Sequence, residues 1–87
     1  MLYIRQVVVF VDSAFKHGYS EEDFFEVLET GPLKLRSRRG LEGIYELLGR
    51  THSGEYLHVA YRREPDQVVV FHMRNMTPAE KNRYRKR

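Results

Sequence analysis

Eighty-seven residues, 41% hydrophobic and 31% charged, suffice for one modest core, so a single domain over 1–87 is expected. The chain has no cysteine, which excludes disulfides, thiolate nucleophiles and cysteine-ligated zinc. Its net charge of +3 is unevenly spread: Arg74, Lys81, Arg83, Arg85, Lys86 and Arg87 crowd the C-terminus beside Glu80, a distribution suited to a polyanion or to a merely solvated helix.

Val7-Val8-Val9-Phe10-Val11 has strand propensity. Yet Val7, Phe10, Val11, Ala14 and Phe15 recur at i, i+3, i+4, i+7 and i+8, one face of a helix. Gly18 after Lys16-His17 would cap that helix, which is the expected form. A second helix starts at Ser20, with Glu21, Glu22 and Asp23 at the favourable end of its dipole. Phe24, Val27 and Leu28 make its apolar stripe, Phe25 widens it, and Gly31-Pro32 stops it.

Four strands are expected next, at Leu33–Ser37, Ile44–Arg50, Tyr56–Arg63 and Gln67–Arg74. Turn residues at Arg39-Gly40, Ser53-Gly54 and Pro65-Asp66 join them, and such short connections make neighbours antiparallel. Thr77-Pro78-Ala79-Glu80 supplies an N-cap, a proline at N1 and a glutamate at N3 for a last helix. The expected fold class is α+β: two N-terminal helices, a four-stranded antiparallel sheet and a C-terminal helix.

Strand alternation distributes the charges. Val69, Phe71 and Met73 share one face, with Leu57, Val59 and Tyr61, and Leu33 and Leu35. If the helices pack there, the other face displays Lys34, Arg36, Arg50, His58, Arg62, His72 and Arg74. A solvated face is ordinary for an antiparallel sheet. The near-uniform positive sign, with histidines and Tyr56 among the cations, suits RNA phosphates and bases.

Cleavage of RNA by its own 2′-OH requires a base, an acid and cations at the phosphate, and no metal. His72 is the acid or base candidate, and Arg74 and Arg62 are the phosphate-bracing candidates; these three form the expected catalytic set. Lys34, Arg36, Arg50, His58, Arg63, Lys81, Arg83 and Tyr84 are the expected RNA-binding residues. Plainer readings stand beside these: a surface histidine, arginines paired across strands with Glu46 or Glu55, and Tyr84 anchoring a short helix. His17 and His52 fall away from this site on the strand pattern. His52, His58 and His72 lack compact ligand spacing, so no metal is expected, and no cofactor.

Lys16-His17-Gly18-Tyr19-Ser20, Gly31-Pro32-Leu33, Leu48-Gly49-Arg50-Thr51, Ser53-Gly54 and, above all, Arg74-Asn75-Met76-Thr77 with Glu80-Lys81 and Tyr84 resemble the BrnT family of toxins, which have a RelE-like fold. The resemblance covers about four-fifths of the chain. It implies a bacterial endoribonuclease toxin of a type II toxin–antitoxin pair that inhibits translation by cutting RNA. Its implied partners are RNA and a cognate ribbon-helix-helix antitoxin, with DNA reached only through the antitoxin. Arg74 matches the arginine of the family's Ala-Arg-x-Met-Thr ending. His72 and Met73 replace small residues, and Asn75 stands where many members carry a second arginine. No segment approaches the roughly 20 apolar residues of a bilayer span, and the start lacks a signal-peptide n-region. A soluble cytoplasmic protein without a membrane partner is expected.

Overall fold

The computed structural model describes residues 7–36 and 42–86; Ser37, Arg38, the Arg39-Gly40 turn and Arg87 lie outside the described residues. Val7–Phe10 is a strand, β1, where a helix was expected. It runs parallel to Gln67–Asn75 (β5), with Val7 opposite Gln67 and Phe10 opposite Val70. Pairing with a distant segment overrides the local helical stripe. The β-branched run suits a strand, and Phe10 still reaches the core, its ring 5.8, 5.5 and 6.1 Å from those of Phe15, Phe24 and Phe25. A short 3-10 turn, Asp12–Phe15, then buries Ala14.

The Glu21–Glu29 helix, α1, begins with a reciprocal cap: Ser20 N donates to Asp23 Oδ2 at 2.8 Å, and Asp23 N to Ser20 Oγ at 3.4 Å. Strands β2 (Leu33–Arg36), β3 (Ile44–Arg50) and β4 (Tyr56–Arg63) precede β5, and Pro78–Arg85 forms the last helix, α2. The sheet order is β1-β5-β4-β3-β2, antiparallel except for β1 against β5. The fold is therefore α+β with a five-stranded mixed sheet and two α-helices. This replaces the expected two N-terminal helices and four-stranded antiparallel sheet.

The helices cover opposite faces. Phe24 and Val27 of α1 pack with Leu47, Leu57, Val59, Tyr61, Val70 and Met73 in the main core. Tyr84 of α2 packs with Leu48 and Met76 on the other side, against Leu33, Leu35 and Tyr56. A register shift at Ala60/Tyr61 sets Ala60 opposite His72 but Tyr61 opposite Val70, which leaves Phe71 unpaired in a bulge. Beyond it the alternation inverts, so Val70 joins Met73 in the main core while Val69 faces the α2 side. Gly49 sets how closely α1 approaches β3: a Cβ there would sit 2.7 Å from Val27 Cγ1 and 3.3 Å from Pro32 Cβ. Among the described residues, no helix is long and apolar enough to cross a membrane.

Candidate functional site

The α2 side of the sheet carries Arg50, His58, Arg62, His72 and Arg74, as alternation predicts. It does not carry Lys34 or Arg36. Leu33 pairs with Leu48 and Leu35 with Glu46, so the leucines of β2 face α2, and Lys34 and Arg36 point to the α1 side. Lys34 lies 4.8 Å over the Tyr45 ring. Arg63, paired with Val68, joins Lys34 at a cleft of about 420 Å³ lined by Val8, Phe24, Leu28 and Tyr61. The expected RNA-binding set is thus split between two surfaces, because the register of β2 inverts its faces relative to the simplest alignment.

At the centre of the α2 side is a charged network. His58, 4% exposed, has Nε2 2.7 Å from Glu46 Oε1, a hydrogen bond between the ring and the carboxyl group. Nδ1 of the same ring is buried and has no hydrogen-bond partner. Glu80 reaches down from α2 to within 3.9 Å of His58 Nε2. Arg74 donates from Nη1 to Glu80 Oε1 at 2.8 Å and from Nη2 to Oε2 at 3.0 Å. Burial alone would raise the Glu80 pKa. The Arg74 bonds, the Thr77 amide and the positive charge of His58 and Arg74 outweigh it and pull the carboxyl down to about 2.

Glu46, His58 and Glu80 bring three ligand-type atoms within 4.8 Å of one another. Both Glu80 oxygens are already held by Arg74, whose guanidinium would also repel a divalent ion. The donor set fits an internal ion-pair network better than a metal centre.

His72 stands half-buried beside this network, on β5. The structure brings His17 to it, with ring centroids 5.4 Å apart, and the His58 ring lies 6.0 Å away on the other side. The 3-10 turn is responsible. Ser13 Oγ donates to the Phe71 carbonyl at 2.7 Å, satisfying the bulge and fixing the turn against β5, so Lys16 and His17 emerge next to His72. The His72 pKa lies below the ordinary histidine value, through burial first and then the positive charge of His58, Arg74, His17 and Lys16. Strand alternation cannot find His17, because it comes from the segment read as a helix. The adjacent pair Lys16-His17 was the only local signal.

Other expected residues are placed less centrally. Arg62 is exposed and donates from Nε to Glu64 Oε2 at 2.8 Å. Arg83 is exposed on α2, and Tyr84 is buried, its ring 6.1 Å from that of Tyr56. His52 is distant from this site: its Nε2 lies 3.0 Å from Glu29 Oε2, and its amide donates to Glu26 Oε1 at 2.8 Å, tying α1 to the β3–β4 turn. Asn75 pairs with Leu57 and faces the α1 side, so the position where the resemblance has a second arginine points away from the histidines.

No family model, curated protein or solved structure matches this chain.

Proposed function

We propose that the protein is a metal-independent endoribonuclease, and that it acts as the toxin of a type II toxin–antitoxin pair in the bacterial cytoplasm. The observation that carries the nuclease reading is the His17–His72 contact at 5.4 Å, with Lys16 and Arg74 beside it. Cleavage forms the O2′–P bond and breaks the P–O5′ bond. One group must take the 2′-OH proton and another must give a proton to O5′. His72, whose neutral form is favoured by burial and then by the cations around it, takes the first; His17, more open to solvent, gives the second. Lys16 stabilises charge building on the phosphate.

The toxin assignment rests on the BrnT-like ending Arg74-Asn75-Met76-Thr77 with Glu80-Lys81 and Tyr84. It carries with it inhibition of translation, and neutralisation by a ribbon-helix-helix antitoxin through which alone DNA would be bound. A second reading, RNA or partner binding without cleavage, is favoured by one feature. Arg74, the expected phosphate clamp, already spends both terminal nitrogens on Glu80.

Induction of the wild type beside His72→Ala and His17→Ala, with growth and RNA integrity followed together, separates these. The nuclease reading expects growth arrest with RNA cleavage by the wild type and a loss of about 100-fold or more in rate for each variant. Folded wild type that binds RNA without cutting it, or slowing growth, would establish the binding reading instead.

A further inference from the structure

Three cations surround one tyrosine at the far end of the α2 side. The Arg50 guanidinium lies 4.7 Å from the centroid of the Tyr56 ring, Arg85 5.3 Å and the Lys81 ammonium 5.4 Å. Significant cation–π contacts occur about once per 70–80 residues, so three on a single ring is a concentration that calls for an account. Among the described residues none of the three cations has a carboxylate partner.

The helix dipole explains part of this. Basic residues are favoured in the last turn of a helix, where Arg83 and Arg85 stand. It does not explain Arg50, which comes from β3 and is held in place by its Nε and Nη2 donating to the Gly54 carbonyl at 3.3 and 3.2 Å. Two elements distant in sequence therefore converge like charges on one point; the Tyr56 ring offsets part of the repulsion, and an anion would offset more. The Tyr56 hydroxyl is drawn the same way: the hydrogen bond with Arg85, then the charges of Arg50, Arg85 and Lys81, favour its anionic form.

Tyr56 and Ala60 lie on one face of β4, and Ala60 is paired with His72. Four residues of strand separate them, about 13 Å at 3.3 Å per residue. A polynucleotide backbone covers that distance in a few nucleotides. We infer that Arg50, Lys81 and Arg85 around Tyr56 form a second phosphate site, which holds the backbone of single-stranded RNA a few nucleotides from the phosphate at His17 and His72. This deepens the nuclease reading and rests on it for the identity of the polyanion. It makes the protein a reader of an extended strand, with the histidines at one end of its footprint and Tyr56 at the other.

The test is binding, kept apart from cleavage by using RNA that has no nucleophile. Fluorescence-labelled 2′-O-methyl oligouridylates of two and eight nucleotides are titrated against wild type, Arg50→Gln and the double variant Lys81→Gln/Arg85→Gln over a range of salt. Thermal unfolding establishes that the variants are folded. For the octamer, the double variant is expected to lose about tenfold or more in affinity, and its log K against log salt should flatten by roughly 0.7 per cation removed. For the dinucleotide, which is too short to span the two sites, the variants should lose much less affinity than they lose for the octamer.

Equal octamer affinity and salt slope in folded variants would overturn the inference, as would no binding by the wild type. Poly-glutamate displacing the octamer from the wild type as effectively as unlabelled octamer would also overturn it, and would assign the cluster to an acidic protein. The two readings fail separately. Octamer binding weakened in the variants, with no cleavage of ordinary RNA by the wild type, removes the nuclease and leaves the site. Cleavage by the wild type, with octamer binding unchanged in the variants, does the reverse.

Discussion

Arg74 and Glu80 are joined by two hydrogen bonds, Nη1 to Oε1 at 2.8 Å and Nη2 to Oε2 at 3.0 Å, which pin the first turn of α2 to the C-terminal end of β5. Glu80 also accepts from the Thr77 amide at 2.9 Å, while Thr77 Oγ1 accepts from Glu80 N at 3.2 Å. One carboxylate therefore completes the helix cap and docks the helix. Without such docking, eight residues of α2 would be too short to hold helical form.

The protein should lose stability in acid through Glu80. Its carboxyl titrates at about 2 in the fold against 4.5 ordinarily, so the unfolded chain binds the proton first. The stabilisation, on the order of 3 kcal/mol, is complete above the unfolded pKa and is lost as pH falls from about 5 to about 2. Urea midpoints across that window check it. Glu80→Gln should show a lower midpoint at pH 7 and a shallower decline towards acid.

Arg74→Ala should reduce stability as well as activity, because it leaves the carboxylate of Glu80 buried without its main partner. A double-mutant cycle of Arg74→Ala with Glu80→Ala should give a coupling of about 1–2 kcal/mol in unfolding free energy. Cleavage rates in the same four proteins separate docking from chemistry. If Arg74 acts only by holding α2, Glu80→Ala should cost as much activity as Arg74→Ala. If its charge also serves the phosphate, Arg74→Ala should cost more.

The pH dependence of cleavage should report His72. As a base with its pKa below the ordinary histidine value, it stays active to lower pH than a free imidazole, and activity falls only as pH drops through the lowered value. Lys16→Ala removes one of the positive charges responsible. The acidic limb of the rate profile should then move up by a few tenths of a pH unit at low salt, with the shift shrinking at high salt. An unmoved limb would remove Lys16 from the electrostatics of His72.

What the sequence made legible was local. Ser20 and Thr77 with Glu80 predict both helix starts, and each forms a reciprocal cap, with Asp23 as the partner of Ser20. Alternation correctly gathers Arg50, His58, His72 and Arg74 on one face, since β3, β4 and the C-terminal half of β5 pair without interruption there. What stayed hidden depends on distant pairing. The Val7–Phe10 run fits a helix or a strand until β5 is present to pair with it. The face of Lys34 is set by the register of β2 against β3, and a shift of one residue inverts it. Nothing local marks Phe71 as a bulge. The sequence offered Lys16-His17 without any indication that the 3-10 turn brings it to His72.

Gly49→Ala should be the most revealing test of the α1 packing. Gly49 lies on the main-core side of β3, opposite Leu57, and an alanine methyl there would meet Val27 Cγ1 at 2.7 Å. Val27 is fully buried, so the nearer neighbour has no free space to yield into, and Pro32 Cβ stands 3.3 Å off. Overpacking of this kind costs about 1–3 kcal/mol. The strain should be relieved, in part, by shortening the opposing side chain. Val27→Ala alone should also destabilise, by loss of buried methyl groups, yet Gly49→Ala with Val27→Ala should be more stable than the sum of the two costs allows. Unfolding free energies of the four proteins decide this. Strict additivity would mean that α1 moves away as a body when Gly49 is changed, and that Gly49 does not fix its distance from the sheet.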